Sequence, residues 1–373
     1  DFIEEIEIIT GGYNAEFGRA TGGIVNVVTK SGSNEFKGSV FSTFKPGGLT
    51  AQAETTPINA ASIDVAVNNA YEFDVGFEVG GPIIKDRVWF FVGFVPRFEK
   101  DDITRTTKRQ TDCRRLEASG QLSTCNAALM TMGGNADGAP DVDPETGFFI
   151  TDQLDETIRA GTQRAYNFLG KINFAVTPEN QGQFSVTALP RSVRQDGVFG
   201  PIQNGFKTNS LVTDVATKWT SKFNDNKPEI EAVIGWHREK ITDGGLDPLL
   251  ANRPLQVLQD GNLGTWGRGF QSESQATLSG CEDNTGADPY RAITNCPMDT
   301  RPYIVGGPGS VTSDREERRW AKISITQRMK AAGSHEFKAG IDAEEAPAPR
   351  GLPANAPIVI VVVDTLRADG LGL

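Results

Sequence analysis

The sequence predicts an all-β fold, a partial transmembrane antiparallel β-barrel of about nine strands with long extracellular loops. Three observations predict it. Apolar and polar residues alternate with a period of two in segment after segment, the connections between those segments alternate between short and long, and no run of about 18 apolar residues offers a transmembrane helix.

The alternation begins at residues 36–45, where Phe36, Gly38, Val40, Ser42 and Phe44 fall on one side of an extended chain and Lys37, Ser39, Thr43 and Lys45 on the other. Successive strand side chains point to opposite faces, so such a segment separates an apolar medium from a polar one. Residues 71–79 repeat the pattern, with Tyr71, Phe73, Val75, Phe77 and Val79 opposing Glu72, Asp74 and Glu78, before the turn "GGPIIKD" and the run "RVWFFVGFVPRFEK". Tyr166, Phe168, Ile172, Phe174 and Val176 then oppose Asn167, Lys171 and Asn173, and after the turn "TPEN" a second arm carries Phe184, Val186 and Ala188. Two further pairs, 211–223 with 229–241 and 318–330 with 336–344, complete one lone strand and four hairpins.

Within each hairpin the turn is short, whereas between hairpins the chain wanders through 46–69, 100–163, 194–209 and 242–316. A soluble sandwich has no reason to gather every long loop at one end. A membrane barrel does, with tight periplasmic turns and long outer loops. Closure also pairs every backbone amide in hydrocarbon, where water cannot. The apolar faces then meet lipid. Lys37, Glu72, Asp74, Glu78, Lys171, Asp214, Lys218, Glu229 and Glu231 face the lumen, and Trp89, Trp219, Tyr71 and Trp320 are placed for an interfacial aromatic girdle.

A net charge of −11, with no cluster of Lys and Arg, argues against nucleic acid as a partner. The start "DFIEEIEI" has no basic-then-apolar leader and no Met, which suggests a fragment. The four cysteines form two close pairs in sequence, Cys113 with Cys125 and Cys281 with Cys296, each in a polar stretch rich in Gly, Asp and Asn. This pattern favours two loop-closing disulfides in an oxidising compartment; four separate buried thiols are the alternative. A zinc site fits poorly, since the gaps are not Cys-x-x-Cys and His237 and His335 are remote.

The stretch "IEEIEIITGGYNAEFGRATGGIVNVVTKSGSNEFKGSV" resembles the end of the plug domain of TonB-dependent outer-membrane receptors, passing into the first barrel strand. "FEVGGPIIKDRVWFFVGF" resembles the second and third strands of the Oar-like branch, and the likeness runs from residue 1 to about 345. The plug-end motif is Gly11, Gly12, Asn14, Glu16, Gly18, Gly22, Gly23 and Asn26, in which glycines permit positive φ and close backbone approach. Ile24, Val25, Val27 and Val28 are expected to form a buried plug strand, with Lys30-Ser31-Gly32 as the hinge into the wall. The resemblance divides the chain into residues 1–32, the C-terminal part of the plug, and 33–345, the N-terminal portion of the barrel. It implies location in the cell outer membrane, contact with its lipid, and uptake of a substrate through a plugged barrel. The implied partner is the TonB energising complex of the inner membrane. The upstream plug and the TonB-contacting segment are not in this sequence.

Residues 346–357 form a Pro/Ala-rich linker, and 358–373, "IVIVVVDTLRADGLGL", is a continuous β-branched run of the kind found in central parallel strands. It resembles the first strand of the alkaline-phosphatase and sulfatase superfamily, by which Asp364 would ligate a metal. The run is thus read as the possible start of a hydrolase-type domain or a junction artefact, with a divergent barrel strand as the alternative. No phosphate loop, His-Glu-x-x-His or Gly-x-Ser-x-Gly occurs, so no catalytic residue and no cofactor is assigned and the chain is not read as an enzyme. Its stretches "GCEDNTGADPYRAITNC" and "NADGAPDVDPETG" lack EF-hand spacing and read as solvated loop tips. The competing functions are a truncated metal hydrolase and a passive outer-membrane adhesin or porin.

Overall fold

A computed structural model describes residues 2–10, 22–51, 58–114, 119, 121–223, 228–282, 293–298, 302–330 and 333–345, together with the backbone of 358–369. Two strands, β1 (Ile3–Ile9) and β2 (Ile24–Thr29), form an antiparallel pair of their own. The main sheet is built from β3 (Lys37–Pro46), β4 (Ile63–Ile84), β5 (Val88–Gln110), β6 (Thr151–Thr177), β7 (Asn180–Gln195), β8 (Phe206–Lys222) and β9 (Pro228–Gly245). After a folded excursion it continues through β12 (Thr312–Lys330) and β13 (Ser334–Glu345) to β14 (Ile358–Asp369). Every neighbouring pair is antiparallel, and among the described residues β3 and β14 each have one partner strand, so the barrel is open here.

Nine of these strands are the lone strand and four hairpins that the alternation predicts. The tenth, β14, lies antiparallel to β13 at the sheet's edge, unlike the central parallel strand that its composition suggests. A β-branched run favours extended backbone in either setting.

The faces fall as the alternation requires. Val40 is 80% exposed and Ile234 64%, and Phe44, Phe77, Ile172, Phe184, Ile323 and Ile341 are exposed along one surface. An apolar surface of this extent is what lipid covers. On the opposite face charges pair across strands: Arg97 with Glu72 at 2.7 Å, Lys218 with Glu231 at 2.5 Å, Arg328 with Glu229 at 3.1 Å and His237 Nδ1 with Asp214 at 2.7 Å. The girdle is only half as expected. Tyr71 is exposed, and Trp219 lies 6.0 Å from Phe174 on the lipid side. Trp89 and Trp320 instead turn inward. Trp320 lies over Gly235, where any Cβ would meet the indole at 2.0 Å, so the glycine makes room for the ring.

The strands outrun the segments that predict them. β4, β5 and β6 have 22, 23 and 27 residues, at least twice the roughly 9–11 that cross a bilayer. The additional lengths, such as 101–110 "DDITRTTKRQ", are polar on both faces and so carry no alternation, yet hydrogen bonding to β6 keeps them extended. They form a wall standing beyond the membrane on the long-loop side.

On this wall sits the only substantial apolar core of the described residues. The connection from β9 to β12 folds into a cap of β10 (Leu255–Leu258), α2 (Leu263–Phe270), α3 (Gln275–Cys281) and β11 (Tyr303–Gly306), with β10 and β11 paired antiparallel. Asn262 caps α2 by accepting from Gly264 N–H at 2.7 Å, and Ser274 caps α3 by accepting from Thr277 N–H at 3.1 Å. Leu263, Cys281, Cys296, Met298, Tyr303 and Val305 pack with Ile63 of the wall. Cys281 is bonded to Cys296 with Cα atoms 5.0 Å apart, and Cys113 to Cys125 at 4.9 Å in the β5–β6 connection, which also holds the short helix α1 (Ala127–Thr131).

Candidate functional site

Two places on the lumen face bring side chains together for a purpose beyond holding strands. The first is the seam between the β1–β2 pair and the wall. Lys30 Nζ donates to both oxygens of Glu78, at 2.8 and 2.9 Å. Lys171 Nζ donates to the Thr29 carbonyl at 2.9 Å and to its hydroxyl at 3.3 Å. Phe2 meets Phe91 edge-to-face at 6.2 Å, and a Cβ at Gly93 would lie 2.3 Å from the Phe2 ring, so this close approach needs a glycine. Asn34, just beyond the hinge, accepts from Trp89 Nε1–H at 2.7 Å and from Asp86 N–H at 2.9 Å. A cavity of 330 Å³, lined by Glu4, Lys30, Glu78 and Phe91 among others, lies along the seam.

The predicted lumen residues Lys37, Glu78 and Lys171 therefore lie near one another at this seam. Of the plug-end motif, Gly22, Gly23 and Asn26 are described, and Asn26 Nδ2 donates to Glu7 at 3.4 Å. Gly11, Gly12, Asn14, Glu16 and Gly18 lie outside the described residues. Val25, Val27 and Val28, expected to be buried, are 62%, 46% and 40% exposed, since a two-stranded ribbon alone cannot cover its own side chains. Asp364 is placed in β14, in register with Lys338, and among the described residues no cluster of three potential metal ligands occurs.

The second place is where the cap meets the wall. Arg105 makes a two-pronged pair with Glu273 at 2.7 and 3.1 Å, with side chains 1% and 2% exposed. Its Nε–H donates to the Val198 carbonyl at 2.7 Å, and Tyr303 donates its hydroxyl to Glu273 at 3.1 Å. Burial first, and the adjacent Glu273 carboxylate second, push the Tyr303 phenol's pKa up from its ordinary value. Arg159 also lies on the lumen face, opposite Ile103 in the register of β5 with β6. Backbone bonds lock the cap down: Gln110 N–H to Asn295 at 2.7 Å, Ile304 N–H to Phe199 at 2.6 Å, and a short bond from the Ser62 hydroxyl to Pro297. Neither Arg105 nor Glu273 is singled out by a sequence motif, because their positions are 168 residues apart.

Residues 28–140 match the family described as "Outer membrane beta barrel domain". The TonB-dependent transporter Oar of Myxococcus xanthus is 30% identical over an alignment of 365 residues that covers 92% of this chain. The chain is a relative of TonB-dependent transporters of the Oar type. It is part of a barrel of the cell outer membrane and spans 32% of the length of that transporter. The siderophore receptor PiuA from Acinetobacter baumannii aligns over 97% of this chain and 51% of its own, with a TM-score of 0.31 and 10% identity, a likeness too loose to carry a conclusion. The curated relative of this Oar-like chain is named as a transporter, not as an enzyme.

Proposed function

We propose that the protein to which this Oar-like chain belongs carries a substrate across the outer membrane through a plugged barrel, driven by the TonB complex of the inner membrane. In this reading residues 1–32 are the end of the plug, 33–345 a portion of the wall and 346–357 a linker. The observation that supports it best is the seam. An ion pair at Lys30 and Glu78, a buried lysine on a carbonyl and one ring pair hold β1–β2 to the lumen face. Partly exposed bonds of this kind are individually weak, about 1 kcal/mol or less for the ion pair. They suit a domain that must be released, and an adhesin or open porin has no use for them.

The test uses the full-length protein in cells. A Lys30→Cys thiol should react with a small thiol reagent faster when TonB is present than when it is deleted. Removing everything before Ser33 should make cells sensitive to a large hydrophilic antibiotic such as vancomycin. Equal labelling rates, together with unchanged sensitivity when the shortened barrel is present in the outer membrane, would leave a passive surface protein.

A further inference from the structure

A cavity of 880 Å³ lies between the wall and the cap, lined by Arg159, Ile202, Asn204, Phe270, Ser272 and Val305 among others. Its volume falls in the range of small-molecule sites, about 300–1,000 Å³. Arg159 is 7% exposed, and neither its Nε nor its Nη1 has a hydrogen-bond partner among the described residues. The acids whose fields reach it are engaged elsewhere. Glu273 is held by Arg105 and Tyr303, and Asp196 accepts from Ala160 N–H at 3.0 Å and pairs with Arg194 at 3.4 Å. Two further buried atoms without partners belong to the same lining, Oδ1 of Asn204 and Oγ of Ser272, while Asn204 Nδ2 is fixed on the Gly306 carbonyl at 2.9 Å.

A buried guanidinium with two of its three nitrogens unsatisfied is costly, and native proteins rarely keep one without a reason. Three unsatisfied polar groups around one cavity share a single explanation. We propose that the cavity binds a small organic acid, with the carboxylate on Arg159 and Ser272 and an apolar body against Ile202, Phe270 and Val305. The charge balance selects a carboxylate over a phosphate. The charged side chains of the lining are Arg159, Arg253 and Asp247, one net positive charge, which a monoanion neutralises and a dianion overshoots. A guanidinium fork also matches the planar carboxylate. The site lies on the lumen face above the seam, and only in that respect, as the place where cargo is first held, does it rest on the transporter reading.

Binding to purified full-length protein in nanodiscs, with no TonB present, tests it separately from transport. Phenylacetate serves as the probe, with phenylacetamide and inorganic phosphate as controls. Phenylacetate should bind saturably, the amide at least about tenfold more weakly, and Arg159→Gln should lose at least about tenfold while Arg159→Lys keeps part of the affinity. Ser272→Ala, which alters the cavity without touching a charge, should weaken phenylacetate and serves if Arg159→Gln does not fold. The inference is overturned if phenylacetate does not bind, if the amide binds equally well, if phosphate displaces the probe at lower concentration, or if the folded variants bind as the parent does. Loss of TonB-dependent labelling at position 30 with binding intact would instead overturn the transport reading alone.

Discussion

The wall in the membrane and the cap above it are stabilised in opposite ways. In the wall large apolar side chains such as Val40 and Ile234 are exposed, and stability comes from paired backbone and from lipid. In the cap Leu263 and Tyr303 are completely buried around a disulfide, as in a small secreted domain. The difference teaches that one chain can use two solvents, and that the two regions fail to different insults.

Breaking the Arg105–Glu273 pair tests this most severely. Arg105→Met leaves a buried carboxylate uncompensated and should cost the cap about 3–5 kcal/mol. Hydrogen exchange should then speed up in α2 and α3 while β7 and β8 stay protected; loosening of both would make wall and cap one cooperative unit. Replacing Cys281 and Cys296 together by Ser opens a loop with a sequence separation of 15, worth about 3 kcal/mol. Protease should cut the cap of this variant on whole cells while the barrel keeps its heat-modifiable migration. The mirror experiment puts a charge on the lipid face. Ile172→Arg should cost the wall about 2 kcal/mol, read as a lower urea midpoint for folding into vesicles, with hydrogen exchange in α2 and α3 unchanged.

Alkaline pH offers a gentler comparison. Tyr303 ionises less readily folded than unfolded, so its contribution is intact below its unfolded pKa, near 10, and is lost as pH rises above that value. The cap should therefore lose about 1.4 kcal/mol per pH unit above that point. Tyr303→Phe should flatten the dependence, and an unchanged slope would place the titrating group elsewhere. The smallest effect is expected at the seam, where Lys30→Met should change global stability by about 1 kcal/mol or less yet raise exchange in β1 and β2. A large drop in stability would mean that the ribbon is structural rather than releasable.

What the bilayer imposes is legible in the sequence. The hairpins at 71–79, 166–176 and 211–241 were legible because lipid on one side and water on the other write a period of two. Where water lies on both sides, as at 101–110, the period vanishes and the strands run on unseen. The cap has no signature in the sequence because α2 and α3 are too short to show a helical period. Trp320 differs from its expected girdle place because the strand begins at Thr312, so a residue that opens the alternating segment 318–330 lies inside the strand, over the hollow at Gly235. The Arg105, Glu273 and Tyr303 cluster leaves no mark in the sequence, since its members come together only through long-range pairing and Arg105 stands among other charges, Asp101, Asp102, Lys108 and Arg109.

One strand, β6, carries Arg159 near its upper end and Lys171 at the latch below, about 40 Å apart at the usual rise per residue. Both have odd numbers and no bulge with β5 intervenes, so doorway and latch share one rigid ruler. A slip of that ruler by a single notch would swing both cations outward at once, Lys171 into lipid and Arg159 into outside water. Any hand that tugs on one end is felt at the other without a change of pairing anywhere between.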